Sequence, residues 1–337
     1  MAKTENEGLS SRAALLELLL AGGGGVTSSS LLTQELGMSR QGVFKLICAL
    51  KEEGLPIESL PQKGYLLGDI EKTDTLSPTF IEHCLKAVPG FNRCIYLKET
   101  ESTQLVLKKL AQQEAPGGII AVTDNQTGGR GRRGRSWQSP PGVNLAFSIL
   151  LRPKLRPDEV QLLNLAAGMA VKEAVASVVK IKAELKWPND VLCGGRKLCG
   201  ILSEAAGESD RIYHAITGIG INVNMKEEDM PQAVAALATS CIIESGRTTA
   251  RWLLLTETVR RFSELMNMLS EKGGAAALIS LFRRECDTLG REVRVIQDDE
   301  VFTGRAIDVT PEGALRVLTG GEEKIFAAAD VHHLRMA

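Results

Sequence analysis

The sequence predicts an α+β chain of several domains: an N-terminal winged helix-turn-helix, a central mixed-sheet domain and a small C-terminal β-barrel. Three observations predict it. Near the N-terminus, two helical segments flank a tight LGMS turn and are followed by apolar pieces broken by Pro56, Pro61 and Gly64. The middle of the chain alternates strand-like and helix-like stretches, as a sheet with helices packed on it does. The end holds short strands, REVRVI, VFTGRAIDV and ALRVLT, separated by DD, TPEG and GG turns. With 337 residues the chain has room for these units. The expected boundaries are 1–68 for the helix-turn-helix domain, 69–79 for a linker, 80–286 for the central domain and 287–337 for the barrel.

Taken in order, residues 11–20 are helix formers with a broad apolar face, and the glycines at 22–25 end that helix. Positions 27–30 offer N-caps to LLTQEL, which Gly37 closes. Ser39 caps a helix over 40–53, where Val43, Ile47 and Leu50 repeat at helical spacing before Gly54. Residues 55–67 read as a hairpin wing. DNA would then meet Arg40, Gln41 and Lys45 on the recognition helix and Lys63 in the wing. Residues 1–68 hold six basic and seven acidic side chains, so such contact depends on a one-sided cluster. A small helical docking domain is the competing reading.

DIEKTDTLSPT, 69–79, has few large apolar side chains and reads as the linker. A strand is expected over 94–97, then a helix starting at Ser102 or Thr103 with Leu105, Leu107 and Leu110. Pro116, Gly117 and Gly118 turn the chain into a strand over 119–123, and a second strand follows over 144–151. Between them hangs QTGGRGRRGRSW, 126–137. A long helix is expected over 157–179, then a two-residue hairpin turn at Gly194-Gly195 between VLC and KLCGIL. A strand over 212–222 ends in TGIGIN, and helices are expected over 231–237, 249–269 and 274–286.

Composition excludes several classes. A hydrophobic share of 44% and a charged share of 24% describe ordinary globular material, and a net charge of −1 argues against coating nucleic acid or anionic membrane non-specifically. No apolar run is read as long enough to span a membrane, and MAKTENEG lacks a signal-peptide pattern. The seven cysteines form no CxxC pair and the four histidines show no ligand spacing, so no zinc-type metal site is expected. His83-Cys84 is read as a chance neighbour pair. The expectation is a reduced, cytoplasmic protein without membrane attachment.

The arginine-glycine loop carries four glycines and four arginines over 128–135 and no acidic residue. Glycine lets a backbone come close to a ligand, and arginine offers a planar fork suited to carboxylate and phosphate. A solvated basic loop or a nucleic-acid patch is the bland alternative. Around it stand Glu101-Ser102-Thr103-Gln104, KWPND with the following RKLCGIL, and TGIGIN. No histidine lies near a serine or cysteine in any of them, so covalent catalysis by the protein is not indicated. Amides, hydroxyls, guanidinium groups, lysines and one aspartate form a set that binds a polar ligand, a carboxylate and phosphates.

GRGRRGR followed by Trp, then KWPND, RKLCGIL and GIGIN, in this order, resemble the biotin protein ligase family, and the N-terminal helix-turn-helix resembles its bifunctional, biotin operon repressor-like type. The resemblance covers nearly the whole chain. It implies a central domain related to the class II synthetase-like fold and an SH3-like C-terminal barrel. It also implies a two-step reaction in which biotin and ATP, with Mg²⁺, give biotinyl-5′-AMP and pyrophosphate, and a carrier lysine is then biotinylated. The implied partners are the biotin carboxyl carrier protein of acetyl-CoA carboxylase or a similar carrier, and operator DNA bound by an adenylate-loaded homodimer.

Carried onto this sequence, the resemblance assigns biotin to Ser102, Thr103, Gln126, Gly129, Arg130, Lys197, Gly200 and Leu202. It assigns ATP to Arg132, Arg133, Trp137, Lys186, Asn189, Asp190 and Asn222, with Arg132, Lys186 and Lys197 as catalytic cations and Mg²⁺ near Asp190. Where the family often has Asn after Ser-Thr, this chain has Gln104, and its barrel ends in AAAD at 327–330. Other readings stand beside these: Ser102 as a helix cap only, Trp137 as core, Asp190 as a pin for the adjacent hairpin. A lipoate or octanoyl ligase of related fold and a DNA-binding biotin sensor without ligase activity are the competing functions.

Overall fold

The computed structural model describes residues 2–91, 93–137, 139–232, 234–297, 300–327 and 329–334, with the side chains of 2–10 left aside. The expected Asp298-Asp299 turn, Ala233 in the expected 231–237 helix and Ala328 at the barrel end lie outside them.

The first unit opens with α1 (Ala2–Ala21), whose Leu15, Leu16 and Leu19 are buried. After β1 (Val26–Thr27) come α2 (Ser29–Leu36) and α3 (Arg40–Glu52). Both caps are local chemistry: Ser28 Oγ accepts from Leu31 N, and Ser39 Oγ accepts from Gly42 N. Gly37, at φ 61°, ends α2 in the left-handed conformation. β2 (Ile57–Leu60) and β3 (Gly64–Leu67) form the hairpin, and β1 adds to the outer side of β3. A Cβ on Gly64 would lie 2.1 Å from the Thr27 carbonyl oxygen, so only glycine lets β1 pair there.

The 69–79 segment is pinned rather than free. Thr75, Leu76 and Ser77 are buried. Glu53, at the end of α3, accepts hydrogen bonds from Ser77 Oγ and from Thr79 N and Oγ1, and pairs with Arg12. This seats a carboxylate at the start of α4 (Pro78–Leu85), the positive end of the helix. Glu17 of α1 meets His83 and Lys86 on the same side. Glu53 is thus turned inward, while Glu17 stays exposed with its carboxylate paired.

The central unit is a seven-stranded sheet in the order β4-β5-β6-β10-β9-β8-β7, with only β4 and β5 parallel. The strands are β4 (Arg93–Thr100), β5 (Ile119–Gln126), β6 (Leu145–Leu151), β7 (Glu184–Lys186), β8 (Asp190–Cys193), β9 (Arg196–Gly207) and β10 (Ile212–Ile221). β8 and β9 join through the Gly194-Gly195 turn. On one face pack α6 (Gln161–Ala174), α8 (Arg251–Ser270) and α9 (Gly274–Glu285), against Ile201, Ile219 and Ile221. α5 (Thr103–Gln112) covers part of the other face through Leu107 and Ala111 on Leu150 and Ile216. A short α7 (Cys241–Ser245) follows β10.

Two expectations are corrected here. The described part of 231–237 forms hydrogen-bonded turns from Pro231 and Val234, not a regular helix. The helical run Pro157–Val179 is long and apolar enough to cross a membrane, but 72% of its apolar window is buried inside the protein. α6, buried along most of its length, serves as core.

The C-terminal sheet runs β14-β13-β12-β11-β15, all antiparallel, from β11 (Glu292–Gln297), β12 (Glu300–Val309), β13 (Leu315–Thr319), β14 (Glu322–Phe326) and β15 (Asp330–His333). Its Val293, Val309, Leu315 and Val331 belong to the same core as α6 and α9.

Arg251, 5% exposed, ties three segments together. Its backbone N and Nε bond Asp74, Nη1 bonds Asp124 on β5, and the same nitrogen reaches the Asn144 carbonyl. Asp74→Ala strips one partner from this buried guanidinium. The expected cost is about 2 kcal/mol, below the fully buried range because Asp74 keeps some water, and urea unfolding measures it.

Candidate functional site

On the face that α5 only half covers, half of the in-register positions next to the helix carry no side chain. In register across β6, β10 and β9, one row reads Ala146, Gly220, Gly200 and the next Ser148, Gly218, Leu202. Leu150 and Ile216 continue the same faces under α5. The alternate residues, Ile219 and Ile221, are core on the far side. Period-2 geometry therefore gives these strands one packed face and one recessed face. The recess is the floor of a cavity of about 650 Å³.

The N-terminus of α5 closes one end. Ser102 is buried and makes no capping hydrogen bond, although it stands at the N-cap position. Its hydroxyl lines the cavity instead. Gln126 Oε1 accepts from Thr103 N at 2.9 Å and from Thr103 Oγ1 at 3.2 Å, and Thr103 Oγ1 lies 2.7 Å from Ser148 Oγ. Gln104 Nε2 donates to the Leu202 carbonyl across Gly218, where a Cβ would stand 2.7 Å from that nitrogen.

Cations gather at the other end. The loop after β5 folds back on itself: Arg130 bridges Ser136, Gly131 N donates to Arg135 O, and Trp137 N donates to Gly129 O. Arg130, Arg132 and Arg135 line the cavity with Lys186 on β7 and Lys197 on β9. Lys197 Nζ stands 2.6 Å from Asp190 Oδ1, in charge contact but off hydrogen-bonding angle, so this buried oxygen has no hydrogen bond. Burial holds Lys186 below the ordinary lysine pKa; Asp190 opposes this and Lys197 adds to it. Burial likewise lowers Arg132, against Asp330 and Asp190.

Trp137 lies across the recessed floor. A Cβ on Gly220 would come within 2.6 Å of its Cε2, and one on Gly200 within 3.1 Å of its Cζ3. Lys197 Nζ is 5.9 Å from the ring centre. Its indole N–H is buried without a partner, a donor aimed at an acceptor the protein does not supply.

Most of the expected site residues line this one cavity: Ser102, Thr103, Gln126, Arg130, Arg132, Trp137, Lys186, Asn189, Asp190, Lys197, Gly200, Leu202 and Asn222. Two do not. Arg133 turns away, donating from Nη2 to the Ile296 carbonyl and facing Asp330 at 3.9 Å. Gly129 lies beneath the Trp137 carbonyl, where a Cβ would be 2.6 Å away. Asn189 and Asn222 spend their amide nitrogens on backbone, Asn189 on Ile201 O and Asn222 on Thr239 O.

Sequence reasoning missed Arg135, Ser148, Gly218, Gly220 and the C-terminal Asp330, Val331 and His332, which also line the cavity. The glycines of TGIGIN carried a signal, since glycine at every second position strips one strand face. Asp330 carried none: it pairs with Arg135 across 195 residues, while the Ala329 carbonyl accepts from Arg132. KWPND is held from the same side. Trp187 N donates to Thr288 Oγ1, which is 3.0 Å from His333 Nε2, and His333 Nδ1 faces Asp287 at 3.6 Å. Thr288 Oγ1 keeps a second lone pair and its own proton for His333 Nε2, so the imidazole tautomer sets which of the two donates. Among the described residues no three His, Cys, Asp or Glu side chains gather as metal ligands.

Gly220→Ala is expected to push the indole from its seat and raise acrylamide quenching of Trp137 fluorescence severalfold, judged against a Trp137→Phe control. Burial, then the Lys186 charge, push His333 down to about 4. The unfolded chain, with His near 6.5, binds the extra proton between these values, so stability is full above pH 6.5 and falls as pH drops toward 4. The loss is at most about 3 kcal/mol. His333→Gln should flatten that slope in denaturation midpoints measured from pH 7 to 4.

The chain matches the biotin/lipoate A/B protein ligase family over residues 96–222, the biotin protein ligase C-terminal domain over 288–334 and a helix-turn-helix domain over 11–66. It is 34% identical over 322 residues to the bifunctional ligase/repressor BirA of Bacillus spizizenii, covering 94% of this chain and 97% of that one. To the biotin–[acetyl-CoA-carboxylase] ligase of Mycobacterium tuberculosis it is 30% identical over 273 residues, covering 78% and 98%. The solved biotin protein ligase from Aquifex aeolicus in complex with biotin and ATP superposes with a TM-score of 0.63 at 30% identity, covering 72% of this chain and 100% of that one.

Proposed function

The chain belongs to the biotin protein ligase family, in the bifunctional form that carries a helix-turn-helix, and we propose how its own residues perform that family's work. The protein is a biotin protein ligase. It activates biotin with ATP to biotinyl-5′-AMP, releasing pyrophosphate, and transfers the biotinyl group to a lysine of a carboxyl carrier protein. It is also a repressor of biotin genes that responds to the adenylate.

One observation carries the assignment of roles: a recessed floor with glycine at 200, 218 and 220 runs between hydroxyl and amide groups at the α5 end and the cations at the other. Biotin's ureido ring belongs at the α5 end, where Ser102, Thr103 and Gln126 offer preset polar atoms. A buried ureido group left unpaired there would be costly. Its carboxylate then points toward Lys197 and Arg130. Lys186, Lys197 and Arg132 stand around the α-phosphorus, where they lower the repulsion between two anionic reactants and stabilise the developing charge. Trp137, Asn189 and Asn222 line the nucleotide's side, and the unpartnered indole N–H donates to a ligand acceptor. Mg²⁺ accompanying ATP would supply charge neutralisation for the departing pyrophosphate. Asp190, whose buried Oδ1 is in charge contact with Lys197 but makes no hydrogen bond, is the carboxylate that would hold it. Arg133 we assign to holding the loop, not to ATP.

We read 1–68, 80–286 and 287–337 as the three units, with 69–79 between them, the β2–β3 hairpin with Lys63 as the wing, and the five-stranded end as an SH3-like barrel. Arg40, Gln41 and Lys45, all exposed, would face DNA with two adenylate-bound copies paired. Seven cysteines present as thiols support a cytoplasmic setting.

Incubation with ATP, Mg²⁺, biotin and a carrier domain tests the ligase. Label on the carrier lysine is expected with biotin and not with lipoate, whose dithiolane offers the ureido-binding groups no partners. No label would overturn the enzyme assignment. Arg132→Gly loses the bonds to Ala329 O and Asn189, and biotinyl-AMP should escape on the order of tenfold faster in a chase experiment.

A further inference from the structure

The N-terminal unit leaves one aromatic ring in water. Phe44 on α3 is 54% exposed, while its neighbour Val43 is buried with Ile47 and Leu50. Helical spacing puts Arg40, Gln41, Phe44 and Lys45 on one face, and all four are exposed. That face begins directly after the Ser39 cap, on the first turns of the helix, the part that reaches base edges when such a helix enters a major groove. No exposed acidic residue lies between 37 and 50. The carboxylates of Glu17 and Glu53 are turned toward α4 instead, in contact with His83, Lys86, Arg12, Ser77 and Thr79.

A ring in this setting needs an apolar partner inside an anionic surface. A second copy packed through the same face would bring Arg40 and Lys45 against their own images, which like-charge repulsion opposes. A DNA duplex meets both requirements: phosphates suit the two cations, and the C5-methyl of thymine is the apolar group on the major-groove edge. We propose that Phe44 is a specificity-determining residue that packs on a thymine methyl group in each half-site of the bound DNA, beside the base pair addressed by Gln41. This rests on the DNA-binding reading above and adds the base class it selects.

The test uses the full chain with biotin, ATP and Mg²⁺. Bound duplexes are first selected from a random library, and each thymine of the selected site is then replaced by deoxyuridine, which removes the methyl and leaves the Watson–Crick edge. At fixed salt, one thymine per half-site should lose roughly fourfold in affinity on replacement, the worth of burying one methyl. Phe44→Ala should bind the thymine duplex more weakly by a similar factor and no longer distinguish it from the deoxyuridine duplex. Lys45→Ala should weaken both duplexes equally and keep the difference. Biotinylation of the carrier by Phe44→Ala, unchanged from the parent, shows that the variant is folded. Absence of any deoxyuridine-sensitive position, or persistence of the methyl effect in Phe44→Ala, overturns the proposal. A library from which no sequence is enriched overturns the DNA-binding reading itself.

Discussion

Everything in the catalytic unit depends on a sheet that is packed on one face and stripped on the other. Ile219 and Ile221 anchor β10 in the core, while Gly218 and Gly220, between and beside them, leave the opposite face bare. Glycine weakens a strand's interior, because it adds backbone entropy to the unfolded chain and brings no side chain to pack. The strand tolerates this because its other face is fixed by α6 and its neighbours β6 and β9 hold it over long antiparallel ladders. Adding a single methyl at 218 or 220 would collide with Gln104 or Trp137, so these glycines make the room in which those two side chains lie.

The second constraint is charge. Three arginines and two lysines converge on one cavity, and alone they would repel one another. The structure offsets this with Asp190 inside the site and with groups from the C-terminal sheet, where Asp330 meets Arg135 and two backbone carbonyls meet Arg132 and Arg133. The terminal sheet is therefore part of the active-site wall and not an appendage. It holds the loop from above, as Thr288 and His333 hold KWPND from the side. Cations held in place by the fold need little reorganisation when negative charge develops between them.

Much of this was legible in the residues because local rules dominate there. The serine caps of α2 and α3, the Gly-Gly turn between β8 and β9 and the strand ending in TGIGIN follow from hydrogen bonding and allowed backbone angles of a few neighbouring residues. What stayed hidden is non-local. β1 and β7 are too short to show a period, and they exist because β3 and β8 offer them an edge. The 231–237 stretch has helical composition, yet the bridge between Lys197 and Ala238 and the bonds around it shape its described part into turns. Arg251 reads as an ordinary helix residue until the fold surrounds it with Asp74 and Asp124. Phe44 escaped notice because an apolar residue in an amphipathic helix is assumed to face inward.

The junction at Glu53 has a mechanical meaning. A carboxylate at the end of the recognition helix caps the next helix of the catalytic unit, and Phe80 and Trp252 fill the seam beside it. The reading helix is thus mounted on the enzyme like a jaw on a gauge. Any pair of such chains would carry its two jaws at a span set by how their bodies meet. A binding head on a loose tether could accept half-sites at many separations, whereas this one should measure a single distance along the duplex.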